Sequence, residues 1–226
     1  ENKDPETEGR GKTKDGRHVR KAEDLLEKLS EKPRKAGGSV KALKEKAFVH
    51  VEHTFQPVFD DRCRVLILGT LPSVKSRENH FYYGHKQNRF WKVMAEVLYC
   101  KYNDVKSKKQ PDSEYNGIVV PATIEEKKAM LHKHHIALWD AIYSCDIIGS
   151  SDSSIRNVVP TDLKPILEQS KITKVFCNGA TSARYYKKYQ EKELGIKAVT
   201  LPSTSPANAA YSVERLVQIW SERLEI

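Results

Sequence analysis

The stretch Val65-Leu66-Ile67-Leu68-Gly69-Thr70-Leu71-Pro72-Ser73 governs the reading of this chain. A continuous apolar run closed by a glycine fits a strand buried on both faces better than a half-exposed one. Similar runs at 136–144, 173–177 and 196–201 follow the first, at 64–69. Helix-like stretches near 89–98, 123–134, 161–170, 179–193 and 212–225 alternate with them, and Thr123, Thr161 and Ser212 are placed as N-caps. Strands alternating with helices predict βαβ units and a mostly parallel sheet covered on both faces, an α/β fold. Residues 101–122 interrupt the alternation and read as a surface insertion.

Before Phe48 the composition differs. Residues 1–46 hold 14 Lys+Arg against 10 Asp+Glu, with very few apolar side chains, and read as a charged N-terminal extension. Val19, Ala22, Leu25, Leu26 and Leu29 fall at helical spacing, so a short amphipathic helix is expected near 18–32, ended by Pro33 and Gly37-Gly38. The globular domain is expected over 47–226. A formal charge of +9 favours an acidic partner such as nucleic acid, although net charge alone also fits any basic soluble protein.

The four cysteines, Cys63, Cys100, Cys145 and Cys177, lie at least 32 residues apart without a C-x-x-C, which argues against a zinc ribbon or a local iron–sulfur motif. Cys145 and Cys177 read as buried thiols, which suit a reducing compartment. No apolar run approaches 18 residues and no signal peptide is visible, so a soluble intracellular protein with no membrane segment is expected, in cytoplasm, nucleoid or nucleus. The chain lacks G-x-x-x-x-G-K-[ST] and G-x-G-x-x-G, so no phosphate-loop nucleotide or dinucleotide cofactor is indicated.

In an open α/β sheet, ligands gather beyond the carboxyl ends of the strands. Three loops meet that condition: Gly69 to Ser73, Asn178-Gly179-Ala180-Thr181, and Leu201-Pro202-Ser203-Thr204-Ser205-Pro206-Ala207-Asn208. Each joins a turn former to small hydroxyl or amide residues that can present N–H and O–H groups to phosphates. Any one of them alone is ordinary turn chemistry. The segment Phe81-Tyr82-Tyr83-Gly84-His85-Lys86-Gln87-Asn88-Arg89-Phe90-Trp91 adds rings that can stack on a base and an amide that can orient a water. His85 there fits a loop-structuring hydrogen bond and a place near substrate equally well. His132, His134 and His135 read as a helix C-terminal cluster rather than a metal site.

Five pieces, in order, resemble the uracil-DNA glycosylase superfamily, and most closely its hypoxanthine (deoxyinosine) DNA glycosylase branch. They are Val65 to Ser73, Tyr82 to Trp91, Ala137-Leu138-Trp139-Asp140, Gly149-Ser150-Ser151-Asp152-Ser153-Ser154-Ile155, and Leu201 to Ala209. The resemblance implies a three-layer α/β/α sandwich with a central four-stranded parallel sheet. It implies hydrolysis of the N-glycosidic bond of a deaminated base, in double- or single-stranded DNA, by a monomer without metal or cofactor. In the uracil- and mismatch-specific relatives the loop after the first strand carries a catalytic Asp or Asn. Here that position is Leu71, and the resemblance transfers the catalytic role to Asn88. It makes Tyr83 the platform under the flipped base, and Thr70, Leu71 and Asn178 the pocket wall. Ser73, His85, Arg89, Ser203, Thr204 and Ser205 become DNA contacts, with Lys75 and Arg77 as further phosphate candidates. Pro206, Ala207 and Asn208 are expected to enter the minor groove. The alternatives are a uracil or mismatch-specific enzyme and a lesion-binding protein of the same fold without turnover.

Overall fold

The computed structural model describes residues 47–106 and 118–224. The N-terminal extension, with its expected helix, and residues 107–117 lie outside them. Four strands, β2 (Val65–Gly69), β3 (Ile136–Asp140), β6 (Lys174–Asn178) and β7 (Ala198–Leu201), form a parallel sheet in the order β3-β2-β6-β7. Every residue of β2 and β3 is buried, as continuous apolar runs covered on both faces require. The edge strand β7 is half exposed.

Helices α1 (Val74–Glu78), α2 (Phe90–Lys106), α3 (Ile124–Lys133), α4 (Lys164–Glu168), α5 (Ala180–Tyr189), α6 (Glu191–Leu194) and α7 (Val213–Arg223) connect and cover the strands. Phe90, Val93, Met94 and Val97 of α2 join Leu216 and Trp220 of α7 in the main core, with the strand side chains Leu66, Ile67, Leu68 and Phe176. Thr123 and Glu126 form a reciprocal capping box on α3, and the Ser212 hydroxyl caps α7. Among the described residues, no helix is long and apolar enough to cross a membrane.

Several boundaries differ from the expected ones. The run 136–144 is two strands. After Asp140 the chain leaves the parallel sheet, and β4 (Ile142–Ile147) pairs antiparallel with β1 (Val49–Glu52) and β5 (Arg156–Pro160) in a second, three-stranded sheet. That sheet has its own small core of Val51, Ile142, Cys145, Ile147 and Tyr185. Thr161 does not cap a helix. Its N–H bonds Ala141 O, it closes the end of β5, and α4 starts only at Lys164. The stretch 179–193 breaks at Gln190, whose side-chain amide donates to the carbonyls of Thr161 and Ala141. α2 runs on to Lys106, so the expected insertion begins as helix.

The chain passes from β2 to β3 on one side and later returns to β6 on the other. Such a reversal opens a crevice at the carboxyl ends of the two central strands, β2 and β6.

Candidate active site

A cleft of about 200 Å³ occupies that crevice. The loop after β2 forms one wall, the start of α5 another, and Ser203 to Ser205 a third, with Tyr83, Asn88 and Asp140 between them. The three loops singled out from the sequence therefore do converge. Gly69 is required at the floor. A Cβ there would meet Asp140 Oδ1 at 2.1 Å, closer than side chains come, and the Tyr83 hydroxyl at a tight 3.1 Å. Gly179 sits at φ +106°, and a Cβ would lie 3.0 Å from that of Ser203. The Gly179 N–H is spent on Leu201 O, but no side chain caps α5, and Ala180 and Thr181 of its first turn line the cleft.

Tyr83 stands with φ +52°, a left-handed conformation uncommon outside glycine. Its ring stacks on Phe90 at 3.9 Å between centroids. Phe90 is fully buried and Trp91 nearly so, held by an indole N–H bond to Tyr82 O, so both anchor the segment rather than line the site. Burial raises the Tyr83 pKa far above its ordinary value, with the Asp140 charge adding to it, so the phenol stays protonated.

Asn88, Asn178 and Thr204 form one network. The Thr204 hydroxyl donates to Asn88 Oδ1 (3.0 Å) and accepts from Asn178 Nδ2 (2.9 Å). The Thr204 N–H donates to Asn178 Oδ1 (2.9 Å). Asn88 Oδ1 also takes the N–H of Phe90 at the head of α2 (3.0 Å). Both acceptor positions of the Asn88 carbonyl are thus filled from within the protein, and its Nδ2 is the group left for a ligand or water.

Several residues expected at DNA make contacts within the protein. The Arg89 guanidinium donates to four backbone carbonyls of the 204–211 loop: Thr204 (3.2 Å), Ser205 (2.6 Å), Asn208 (3.0 Å) and Tyr211. It clamps the loop and has little left for a phosphate. Thr204 is fully buried, so it positions amides instead of gripping the backbone. Asn208 folds back to donate to Ser203 O (2.8 Å), which leaves Pro206 and Ala207 as the exposed tip. Ser73 caps α1 through Ser76 N, and Ser76 Oγ in turn accepts from Gly84 N. His85 takes the loop-structuring role: its Nδ1 accepts from Gln87 N (3.2 Å), and the residue is exposed beyond the cleft lining. Thr70 and Leu71, expected at the base, and Ser203 and Ser205, expected at phosphates, all line the cleft. Lys75 pairs with Glu78, whereas Arg77, tied to Pro72 O by one N–H, lines the cleft as a cation.

Two acids were not singled out from the sequence. Asp140, at the end of β3, lines the cleft and accepts from His53 through Oδ2 (2.9 Å). Asp152, on the rim, has its pKa raised by burial of the carboxyl and by the Asp140 charge, against the opposing pull of Thr181 and Arg184. Away from the cleft, just before β2, the donor atoms of Asp60, Cys63 and His132 lie within 4.8 Å of one another. The Arg62 guanidinium already occupies Asp60 at 2.7 Å, and burial pushes the Cys63 thiol up to about 11, so the group fits a thiol-bearing turn better than a metal centre. Cys145 and Cys177 are buried free thiols, raised by burial to about 11 and about 12.

The carboxyl edge of the parallel sheet thus gathers an aromatic ring, two hydrogen-bonded amides and small hydroxyl loops around one cleft. The chain belongs to the uracil DNA glycosylase superfamily, whose sequence model matches residues 56–223. It is 28% identical over 165 residues to a hypoxanthine DNA glycosylase of Methanosarcina acetivorans, covering 73% of this chain and 93% of that one. A second hypoxanthine DNA glycosylase, from Methanosarcina barkeri, is 26% identical over 155 residues, covering 68% and 86%. Among solved structures, the solution NMR structure of a candidate uracil DNA glycosylase of M. acetivorans is similar, with a TM-score of 0.58 and 26% identity over 75% of this chain and 93% of that one. The protein is a DNA glycosylase of this superfamily.

Proposed function

We propose that the protein removes hypoxanthine from deoxyinosine in DNA by hydrolysis, leaving an abasic site for base excision repair. The observation that carries this reading is Leu71 at the head of the cleft, where a catalytic Asp or Asn is expected, with Asn88 on the same cleft. The names of the two Methanosarcina relatives support the same base.

In the reaction the nucleotide swings out of the duplex, at a cost of a few kcal/mol that is lowest at a weakened pair. Stacking on Tyr83 offsets about 1–3 kcal/mol of it. The uncapped start of α5 and the Arg77 cation offer partners for the flanking phosphates. The bond from C1′ to the base then breaks, the base leaves with the electron pair, and the sugar becomes cation-like. Water adds its oxygen at C1′. Asn88 Nδ2 donates to that oxygen and holds it in place, which lowers the barrier by position rather than by proton transfer. Hypoxanthine is a better leaving group than adenine, so a strong acid is not needed.

The described cleft lining contains no lysine, which supports simple hydrolysis without a Schiff-base step. Borohydride is expected to trap no covalent complex on inosine DNA, and capture of the protein would overturn the monofunctional assignment. Asn88→Ala is expected to lose most excision and keep DNA binding; near-normal turnover by that variant would remove Asn88 from the mechanism. A preference for uracil is the second reading, favoured by the solved relative described as a candidate uracil DNA glycosylase. Release from matched inosine and uracil duplexes separates the two.

A further inference from the structure

We propose that Asp140 is the proton acceptor for the attacking water, and that His53 is the positioning residue that aims its carboxylate. The inference deepens the hydrolytic reading above and rests on it.

The cleft lining holds two carboxylates that could take the proton, Asp140 at the floor and Asp152 on the rim. Leu71 offers no polar atom. Asn88 Oδ1 already takes two protein hydrogen bonds, and both polar atoms of Asn178 are engaged by Thr204. Asp140 is paired in register with Gly69, the residue from which the Thr70–Ser73 loop departs. It therefore brings a carboxylate from the neighbouring strand to the edge where that loop carries none. Oδ2 is held by His53, and Oδ1 lies over Gly69 on the cleft side.

The imidazole of His53 is held at both ring nitrogens. His53 Nδ1 lies 2.8 Å from the Phe55 carbonyl, which can only accept, so Nδ1 carries a proton. Nε2 lies 2.9 Å from Asp140 Oδ2, and that contact requires a second proton between them. Both side chains are nearly inaccessible to solvent, at 0% and 5%. The imidazole stacks on Trp139 at 4.4 Å and meets Phe55 edge-on, so it cannot swing away. A ring fixed on both nitrogens fixes Oδ2, and with it the direction of Oδ1.

The step balances simply. The water oxygen bonds to C1′ as the bond to the base completes its break, and the base departs with that electron pair. The released water proton passes to Asp140 Oδ1, and the departed base is protonated from solvent as Asp140 returns its proton there. The titratable groups facing Asp140 are His53, Tyr82 and Tyr83, together with Asp152 from the rim. Arg77 and Asp152 also line the cleft.

The test measures single-turnover base release across pH, with full-length protein in excess over duplex. The duplex carries whichever lesion the wild type releases most rapidly from an inosine, xanthine and uracil panel. Asp140→Asn is expected to slow release by about 100-fold or more, the usual range for a lost general base. Its residual rate should be flat with pH, whereas the wild type and Asn88→Ala should both slow on the acid side. Asp140→Ala should be partly restored by added formate, a response that a purely structural role does not give. His53→Gln should move the acid limb of the profile rather than erase it. Release by Asp140→Asn within about threefold of wild type overturns the inference, and so does a loss in Asp140→Ala that formate leaves unchanged while melting and abasic-duplex binding stay normal. Loss of the acid limb in Asp152→Asn but not in Asp140→Asn also overturns it, by moving the role to the rim. Wild-type release of uracil alone defeats the deoxyinosine reading and leaves the Asp140 ratio to be judged on uracil DNA. No release from any duplex defeats both.

Discussion

Arg89 separates a loop clamp from a phosphate contact, and replacing it with Met keeps its stem while removing all four donations. Hydrogen bonds from a charged donor are each worth about 1.5–3 kcal/mol, but the freed carbonyls lie on a half-exposed loop where water replaces part of the loss. We expect Arg89→Met to cost about 3 kcal/mol. For a domain of this size, about 1 kcal/mol shifts the melting temperature by about 2–4 °C, so a fall of roughly 6–12 °C follows. Arg89→Lys keeps the charge, but a compact ammonium cannot span carbonyls from Thr204 to Tyr211, and about half the fall is expected. The assay is thermal unfolding without DNA, paired with duplex binding over a salt series. A phosphate contact predicts another pattern: an unchanged melting temperature, a salt slope smaller by about 1, and full rescue by Lys. Melting of Arg89→Met within about 2 °C of wild type would refute the clamp.

Three further outcomes follow from the site and its surroundings. Gly69→Ala drives a methyl into Asp140 Oδ1, so we expect a loss of about 2 kcal/mol and a larger loss of excision; a normal melt with normal turnover would show that the floor is looser than it stands here. Thr204→Val leaves Asn88 Oδ1 and Asn178 Nδ2 each short of a partner, costing about 2 kcal/mol and freeing the Asn88 amide to turn, which melting and single-turnover excision would register together. At Asp60, burial opposes ionisation, but hydrogen bonds from Arg62 and Cys63 outweigh it and lower the carboxyl to about 2. A depressed carboxylate stabilises the fold above its unfolded value near pH 4, and that contribution fades as pH falls toward 2. Asp60→Asn should therefore flatten the acid limb of a stability–pH curve, and an unchanged limb would contradict the assignment.

The parallel sheet was legible because its strands are mostly continuous apolar runs, three of them followed by a glycine or proline, and such runs have few other places to go. The antiparallel sheet was not. Val49–Glu52 and Arg156–Pro160 are short and mostly exposed, so neither alternates cleanly enough to read as a strand. The Asp140–Ala141–Ile142 junction carries no glycine or proline, and only pairing shows that the chain changes sheets there. The site divides the same way. The three loops were visible because they stand at strand ends, and Tyr83 and Asn88 because rings and an amide crowd one short polar segment between two helices. The carbonyl contacts of Arg89 were not legible, because a cation at a helix start looks the same whether it faces phosphate or carbonyls. His53 and Asp140 lie 87 residues apart, and no local pattern joins them. One signal was present: Ile136-Ala137-Leu138-Trp139-Asp140 ends a wholly apolar strand on an acid, and a carboxylate at the carboxyl edge of a buried strand is seldom idle.

Hydrolysis of the bond between hypoxanthine and deoxyribose, proposed for this cleft, can be followed in a single incubation. Duplexes carrying a single inosine, xanthine or uracil are mixed with the wild-type protein, treated with alkali to break abasic sites, and resolved by length, with the free base identified by chromatography. We predict strand breaks at inosine only after alkali, accompanied by free hypoxanthine, and faster than at uracil. Binding to the inosine duplex without release of base, or breaks confined to uracil, would contradict the account.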